Sequence, residues 1–228
     1  DFTTTTTAEL LAERGVASIV YDRLGRGESV VEGAITLDRE LAAVEALIEA
    51  AGGSAVLCGH SSGCSISLYA AAKGLPVDGL VLWEAPLSPE PSGAREWADE
   101  VERLIDAGDR AGALKLYMKD MPPEMLEAVQ SFPPMIDQAG SLRPDAESLA
   151  WAESVPHAEL FADIRIPVLA LVGEETYDEM VPAAEAIADA IPTARWTRIA
   201  GAQHTWQPDA MAEELAGFMR TLGGGNDR

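Results

Sequence analysis

Five consecutive residues, Gly59-His60-Ser61-Ser62-Gly63, fit the pattern G-x-S-x-G. They directly follow the apolar run SAVLCG (54–59) and directly precede a helix-like stretch, Ser65 to Lys73. A strand that reverses at once into a helix crowds the neighbours of the serine, so both flanking glycines are expected to be needed for their small size. Such a turn lifts the Ser61 hydroxyl out at the top of a sheet. The helix that follows aims its amino terminus at the same spot, where the backbone N–H of Ser62 can stabilise an oxyanion. The five-residue pattern also fits a tight turn without chemistry; the strand-turn-helix setting gives it weight.

A serine hydroxyl needs a base to become a nucleophile, and the sequence offers three histidines, His60, His157 and His204. His60 lies inside the turn and is expected to point away from where a base must sit, as a packing or hydrogen-bonding residue. His157 reads as a partly exposed residue of a helical insertion. His204 follows the run ARWTRIA (194–200) through a glycine-containing loop, which brings it to the same sheet edge as Ser61.

The elements that must position these groups alternate along the chain. Val16 to Asp22, Ser54 to Gly59, Gly79 to Glu84, Pro167 to Gly173 and Ala194 to Ala200 read as strands, most of them near-continuous apolar runs of the kind a parallel sheet buries on both faces. Leu41, Val44, Leu47 and Ile48 recur at helical spacing in Leu37 to Ala50, with Gly52 placed to end that helix. Ala8 to Gly15, Ala183 to Ile191 and Ala210 to Leu222 also read as helices. The fold class is therefore α/β, a mostly parallel sheet flanked by helices.

One interval breaks the rhythm. Between the third and fourth expected strands the sequence is helical in texture, with helices expected over Ala94 to Ala107, Ala111 to Met118 and Glu124 to Phe132, broken by Pro122, Pro123, Pro133 and Pro134. An insertion there sits over the carboxyl ends of the strands, where α/β sheets bind ligands. The expected organisation is a core of 1–86 and 167–222, a helical lid of 87–166, and a flexible tail of 223–228. The threonine run Thr3 to Thr7 and the glycine-rich end are expected to fray.

Composition narrows the partners. Of 228 residues, 38 are acidic and 16 are Lys or Arg, a formal net charge of −22. Nucleic acid and anionic membranes are repelled by such a surface. Two cysteines six residues apart, Cys58 and Cys64, form neither a disulfide framework nor a metal-ligand spacing. No apolar run reaches membrane-spanning length and the start lacks signal-peptide features, so a cytoplasmic location is expected.

With these residues in hand, the chain resembles the α/β-hydrolases with a helical lid, and in detail the small hydrolases of actinobacterial type. Besides the serine turn, Asp22-Arg23-Leu24-Gly25-Arg26-Gly27-Glu28-Ser29 is similar to the family's D-x-x-G-x-G-x-S loop, Gly201-Ala202-Gln203-His204 to its G-x-x-H loop, and Trp83-Glu84-Ala85-Pro86 follows the third strand. The order nucleophile, acid, histidine is the family's order, and it marks His204 as the base. Asp22 is expected to be structural, holding its turn through the backbone.

Two carboxylates compete to orient the histidine. Asp178 resembles the commonest acid position of the family, although it lies two residues later after Gly173 than that pattern prefers. Glu84 ends its strand where a subset of the family, the haloalkane dehalogenases among them, carries the acid. Glu84 is preferred, because an acidic residue capping an apolar strand has few bland reasons to be there, whereas Asp178 sits among Glu174, Glu175 and Glu179 in what reads as a solvated acidic loop. Glu175 is a distant third.

The resemblance implies a serine hydrolase with Ser61 as nucleophile, His204 as base, Glu84 or Asp178 as acid and the Ser62 N–H as oxyanion donor, with no metal or organic cofactor. An aspartate would stand at the Ser61 position in a dehalogenase or epoxide hydrolase. The substrate is expected to be a small apolar carboxylic ester or lactone. Trp83, Met118, Met121 and Trp151 are the candidate pocket residues among the lid's Met125, Met135 and Phe132, although such residues at helical spacing also serve as core. A hydrolase-fold receptor with little turnover, a carbon-carbon bond hydrolase and a perhydrolase would keep the same residues. Nothing matches the family's second oxyanion loop or its earliest strands, so an upstream segment pairing with this chain is expected, since a long unpaired edge is an aggregation hazard.

Overall fold

The computed structural model describes residues 2–88, 91–121, 126, 127, 129 and 131–223. Four strands run parallel: β1 (Ala55–His60), β2 (Val77–Trp83), β3 (Val168–Glu175) and β4 (Ala194–Ala202), each beside the next. A short β5 (Thr205–Trp206) turns back antiparallel on β4. Helix α3 (Ser62–Ala72) joins β1 to β2, and α9 (Met180–Ala190) joins β3 to β4.

Alternation of side chains along the strands builds two apolar layers. Leu80, Leu82, Val168, Ala170 and Val172 face one side, where α2 (Leu37–Ala50), α3 and α9 lay Val44, Ile48, Leu68, Ala184 and Ile187 against them. Val81, Trp83, Leu169 and Leu171 face the other side, against Leu11 of α1 (Phe2–Glu13) and Met211, Leu215 and Phe218 of α10 (Pro208–Gly223). The threonine run does not fray as expected. It forms the first turns of α1, because the Thr7 hydroxyl accepts a hydrogen bond from Trp206 Nε1 at 2.9 Å in the buried layer beneath α10.

The expected strand over Val16 to Asp22 is not a strand. The run carries no ladder hydrogen bonds, and Ile19, Val20 and Tyr21 remain 49%, 46% and 43% exposed. The sheet ends at β1, which pairs only with β2 among the described residues. An extended segment becomes a strand only where another backbone pairs with it, and none does so here among the described residues.

The interval between β2 and β3 holds α4 (Ala94–Asp106), α5 (Arg110–Tyr117), α6 (Pro133–Asp137), a 3₁₀ turn, α7 (Leu142–Ala152) and α8 (His157–Leu160). Most of the expected helix over Glu124 to Phe132, Met125 included, and the tail beyond Gly223 lie outside the described residues. The insertion has its own apolar cluster, built on Val101, Leu114, Ala139, Leu142 and Ala146. It is also tied to the core. The Ser65 and Ser148 hydroxyls meet at 2.7 Å in the interior between α3 and α7. Buried Asp145 receives Arg23 at 2.7 Å and Arg26 at 2.5 Å from the loop after Val16–Asp22.

Candidate active site

Four non-glycine residues have positive φ among the described residues: Ser61 at 54°, Glu84 at 46°, Gln203 at 50° and His204 at 67°. Such conformations cost about 1–3 kcal/mol each and persist where the surrounding structure over-determines them. Three of the four are the expected nucleophile, one of the two expected acids and the expected base. The strain is concentrated at the carboxyl ends of β1, β2 and β4.

Ser61 stands between β1 and α3, held by its N–H donating to the Trp83 carbonyl at 3.0 Å and its own carbonyl accepting from Cys64 N–H at 2.9 Å. Gly59 has to be glycine: a Cβ there would lie 2.7 Å from the backbone of Cys64 and Gly63. Gly63 meets no such limit, since a Cβ would have open space. The expectation that both flanks must be small is corrected to one. Ser62 begins α3, so its N–H is one of the free donors at that helix's amino terminus.

Glu84 is 1% exposed and fully engaged. Its Oε2 accepts from His204 Nδ1 at 2.6 Å; its Oε1 accepts from the Thr176 hydroxyl at 2.6 Å and from the Gly173 N–H at 3.0 Å. Burial pushes the carboxyl up, but the bonds from His204, Thr176 and Gly173 outweigh it and hold the carboxyl below its ordinary value. Gly173 leaves the space for this carboxylate, because a Cβ there would come within 3.1 Å of Oε1. Asp178 is exposed, and no hydrogen bond joins it or Glu175 to His204 among the described residues. With Nδ1 bound to Glu84, His204 has Nε2 left to act on a hydroxyl. Among the described residues no hydrogen bond joins Ser61 to His204, a gap common at sites whose contacts tighten only around substrate.

His204 sits in the two-residue connection of the β4–β5 hairpin, between the paired residues Ala202 and Thr205. Positive φ at both Gln203 and His204 matches a type I′ turn, which Asn-Gly would form without strain. The His204 carbonyl accepts from His60 Nε2 at 2.9 Å and Trp83 Nε1 at 3.2 Å. His60 keeps an exposed edge, yet packing of its ring against His204 and Trp206 withdraws it from water and, together with the charge His204 can carry, lowers its pKa.

Other expected positions are revised. Trp83 is fully buried beneath the His204 turn and packs edge-on against Trp206, so it supports the site and does not line an open pocket. Trp151 packs against Tyr69 and Phe161 and borders a surface cavity of about 370 Å³ with Thr36, Leu37 and Glu147, none of them a site residue. Met118 packs against the insertion's own cluster and Met121 is half-buried. His157, expected to be partly exposed, is buried at 3% exposure, its ring against Phe161. Asp22 does hold its turn, accepting from Glu28 N–H at 2.9 Å. Sequence reasoning missed Thr176; its only signal is its place just after β3, which ends at Glu175.

A model of the alpha/beta hydrolase family matches residues 2–218. The chain belongs to this family. Among solved structures, this hydrolase is similar to an alpha/beta hydrolase from Sphaerobacter thermophilus, with 31% identity over 93% of this chain and 86% of that one and a TM-score of 0.73. A thermophilic esterase from Thermogutta terrifontis is 22% identical over 95% of this chain and 85% of that one, with a TM-score of 0.61. An esterase from a Rhodococcus species is 23% identical over 97% and 87%, with a TM-score of 0.57; at these identities the two esterases speak to the fold alone. No curated protein matches this chain. No helix among the described residues is long and apolar enough to cross a membrane.

Proposed function

We propose that this alpha/beta hydrolase is a serine hydrolase that cleaves a small apolar carboxylic ester or lactone through an acyl-enzyme. The observation that carries the reading is the 2.6 Å contact of His204 with buried Glu84, made from residues whose strained backbones meet Ser61 at one sheet edge. Ser61 Oγ adds to the substrate carbonyl while its proton passes to His204 Nε2. Glu84 fixes the ring and offsets the positive charge that forms on it. The Ser62 N–H, at the positive end of α3, faces the oxygen on which negative charge develops. Collapse expels the alcohol, protonated by His204, and water repeats the sequence to release the acid. In a lactone the freed alcohol remains part of the acyl chain, and water releases a single hydroxy acid. The helical insertion serves as a lid over the strand ends.

Turnover of a short-chain aryl ester, p-nitrophenyl butyrate, tests the reading. Multiple turnovers that vanish in Ser61→Ala are expected; stoichiometric release of one nitrophenolate per chain would instead favour a receptor with a reactive serine.

A further inference from the structure

We propose that His60 is a positioning residue, whose Nε2–H holds the strained turn that presents His204 to Ser61. The inference rests on the serine-hydrolase reading and adds to it a residue outside the triad.

The β4–β5 connection has only Gln203 and His204 to reverse the chain, and both have positive φ without being glycine. A turn in that state relaxes unless something outside it fixes the backbone. What fixes it is two donors on one acceptor. The His204 carbonyl accepts from His60 at the end of β1 and from Trp83 at the end of β2. The two strands that border the nucleophile turn therefore reach across to the base through its backbone, while Glu84, one residue after Trp83, holds its ring.

Since a carbonyl can only accept, His60 Nε2 must carry the hydrogen, and in the neutral ring Nδ1 is then bare. The ring lies 4.6 Å from that of His204 and meets Trp206 edge-on at 5.5 Å. The titratable groups facing it are His204 and, through that ring, Glu84. A second imidazolium at 4.6 Å from the one formed in catalysis would oppose it, so a neutral donor suits the position better than a charged one. The same residue also adjoins Ser61 in sequence, so one side chain couples the nucleophile turn to the base turn.

Two amides of different reach test this. His60→Gln places a neutral N–H at about the distance of Nε2 from the backbone, and His60→Asn places it near Nδ1, too short to reach the carbonyl. With p-nitrophenyl butyrate, His60→Asn is expected to lower kcat about tenfold with KM within about twofold, and His60→Gln to stay within about threefold of the parent. Equal kcat in both variants, whether at or below the parent's, would overturn the role, as would a larger loss in the Gln variant or a loss confined to KM. Ser61→Ala is measured alongside. If that variant keeps the parent's turnover, the serine-hydrolase reading has failed and takes this inference with it. If it is inactive and Gln and Asn behave alike, the role of His60 alone has failed.

Discussion

Glu84 and Asp178 both satisfy the chain order that the family uses, and residue-scale geometry separates them. Glu84 is buried, accepts three hydrogen bonds and touches His204 Nδ1, whereas Asp178 is exposed. Removing the charge from Glu84 while keeping its shape leaves the imidazole free to adopt the wrong tautomer, a change that costs up to about 10⁴ in kcat in a comparable triad. Glu84→Gln is therefore predicted to lower turnover of p-nitrophenyl butyrate by about 10² or more, and Asp178→Asn to leave it within about twofold, because surface substitutions away from such features do little. The reverse order of effects would put the acid in the loop after β3. The Gly59–Gly63 turn, the Gly201–His204 loop and both carboxylates were legible as residue types at family spacings. The choice between the carboxylates was legible only as a burial argument about an apolar strand ending in Glu. Thr176 and the His60 contact were not legible, because hydrogen bonds between side chains far apart in sequence leave no local pattern.

At the scale of elements, helix α7 is the part of the insertion that the core holds most firmly. Burial pushes the Asp145 carboxyl up, but Arg23 and Arg26 overcome it and bring the carboxyl below its ordinary value. A group whose folded pKa is depressed stabilises the fold above its unfolded pKa, here near 3.8, and loses that contribution as pH falls through the folded value. Asp145→Asn leaves Arg26 without its carboxylate and Arg23 with Glu40 alone, so it is predicted to cost about 3 kcal/mol of unfolding free energy near neutral pH, as broken buried pairs do. Denaturant melts at a series of pH values check this: the gap between parent and variant should shrink below about pH 4, and a gap that stays constant would contradict the account. The insertion was readable in the sequence as helices between two strands. Its attachment was not, since Asp145, Ser148, Arg23 and Ser65 read as ordinary polar residues until the fold brings them together.

For the molecule as a whole, an exposed apolar run and the acidic surface pull in opposite directions. A net charge of −22 keeps chains apart, while the exposed Ile19, Val20 and Tyr21 offer apolar surface to another chain. Chains of this sequence are predicted to associate through these exposed residues as salt screens their repulsion. Light scattering against salt should show the rise in mass, and the double substitution Ile19→Lys, Val20→Lys should abolish it; association unchanged in the double variant would place the contact elsewhere. Val16 to Asp22 shows why the strand reading failed there: β-propensity marks a segment that can pair, and pairing needs a neighbour.

If Ser61 is the nucleophile proposed above, a fluorophosphonate probe will find it, because such a probe bonds covalently only to a serine that its surroundings activate. Mass spectrometry of the labelled chain is predicted to find one adduct, on Ser61, lost in Ser61→Ala and slowed at least about tenfold in His204→Ala. An adduct on another residue, or Ser61→Ala labelled as fast as the parent, would contradict the account.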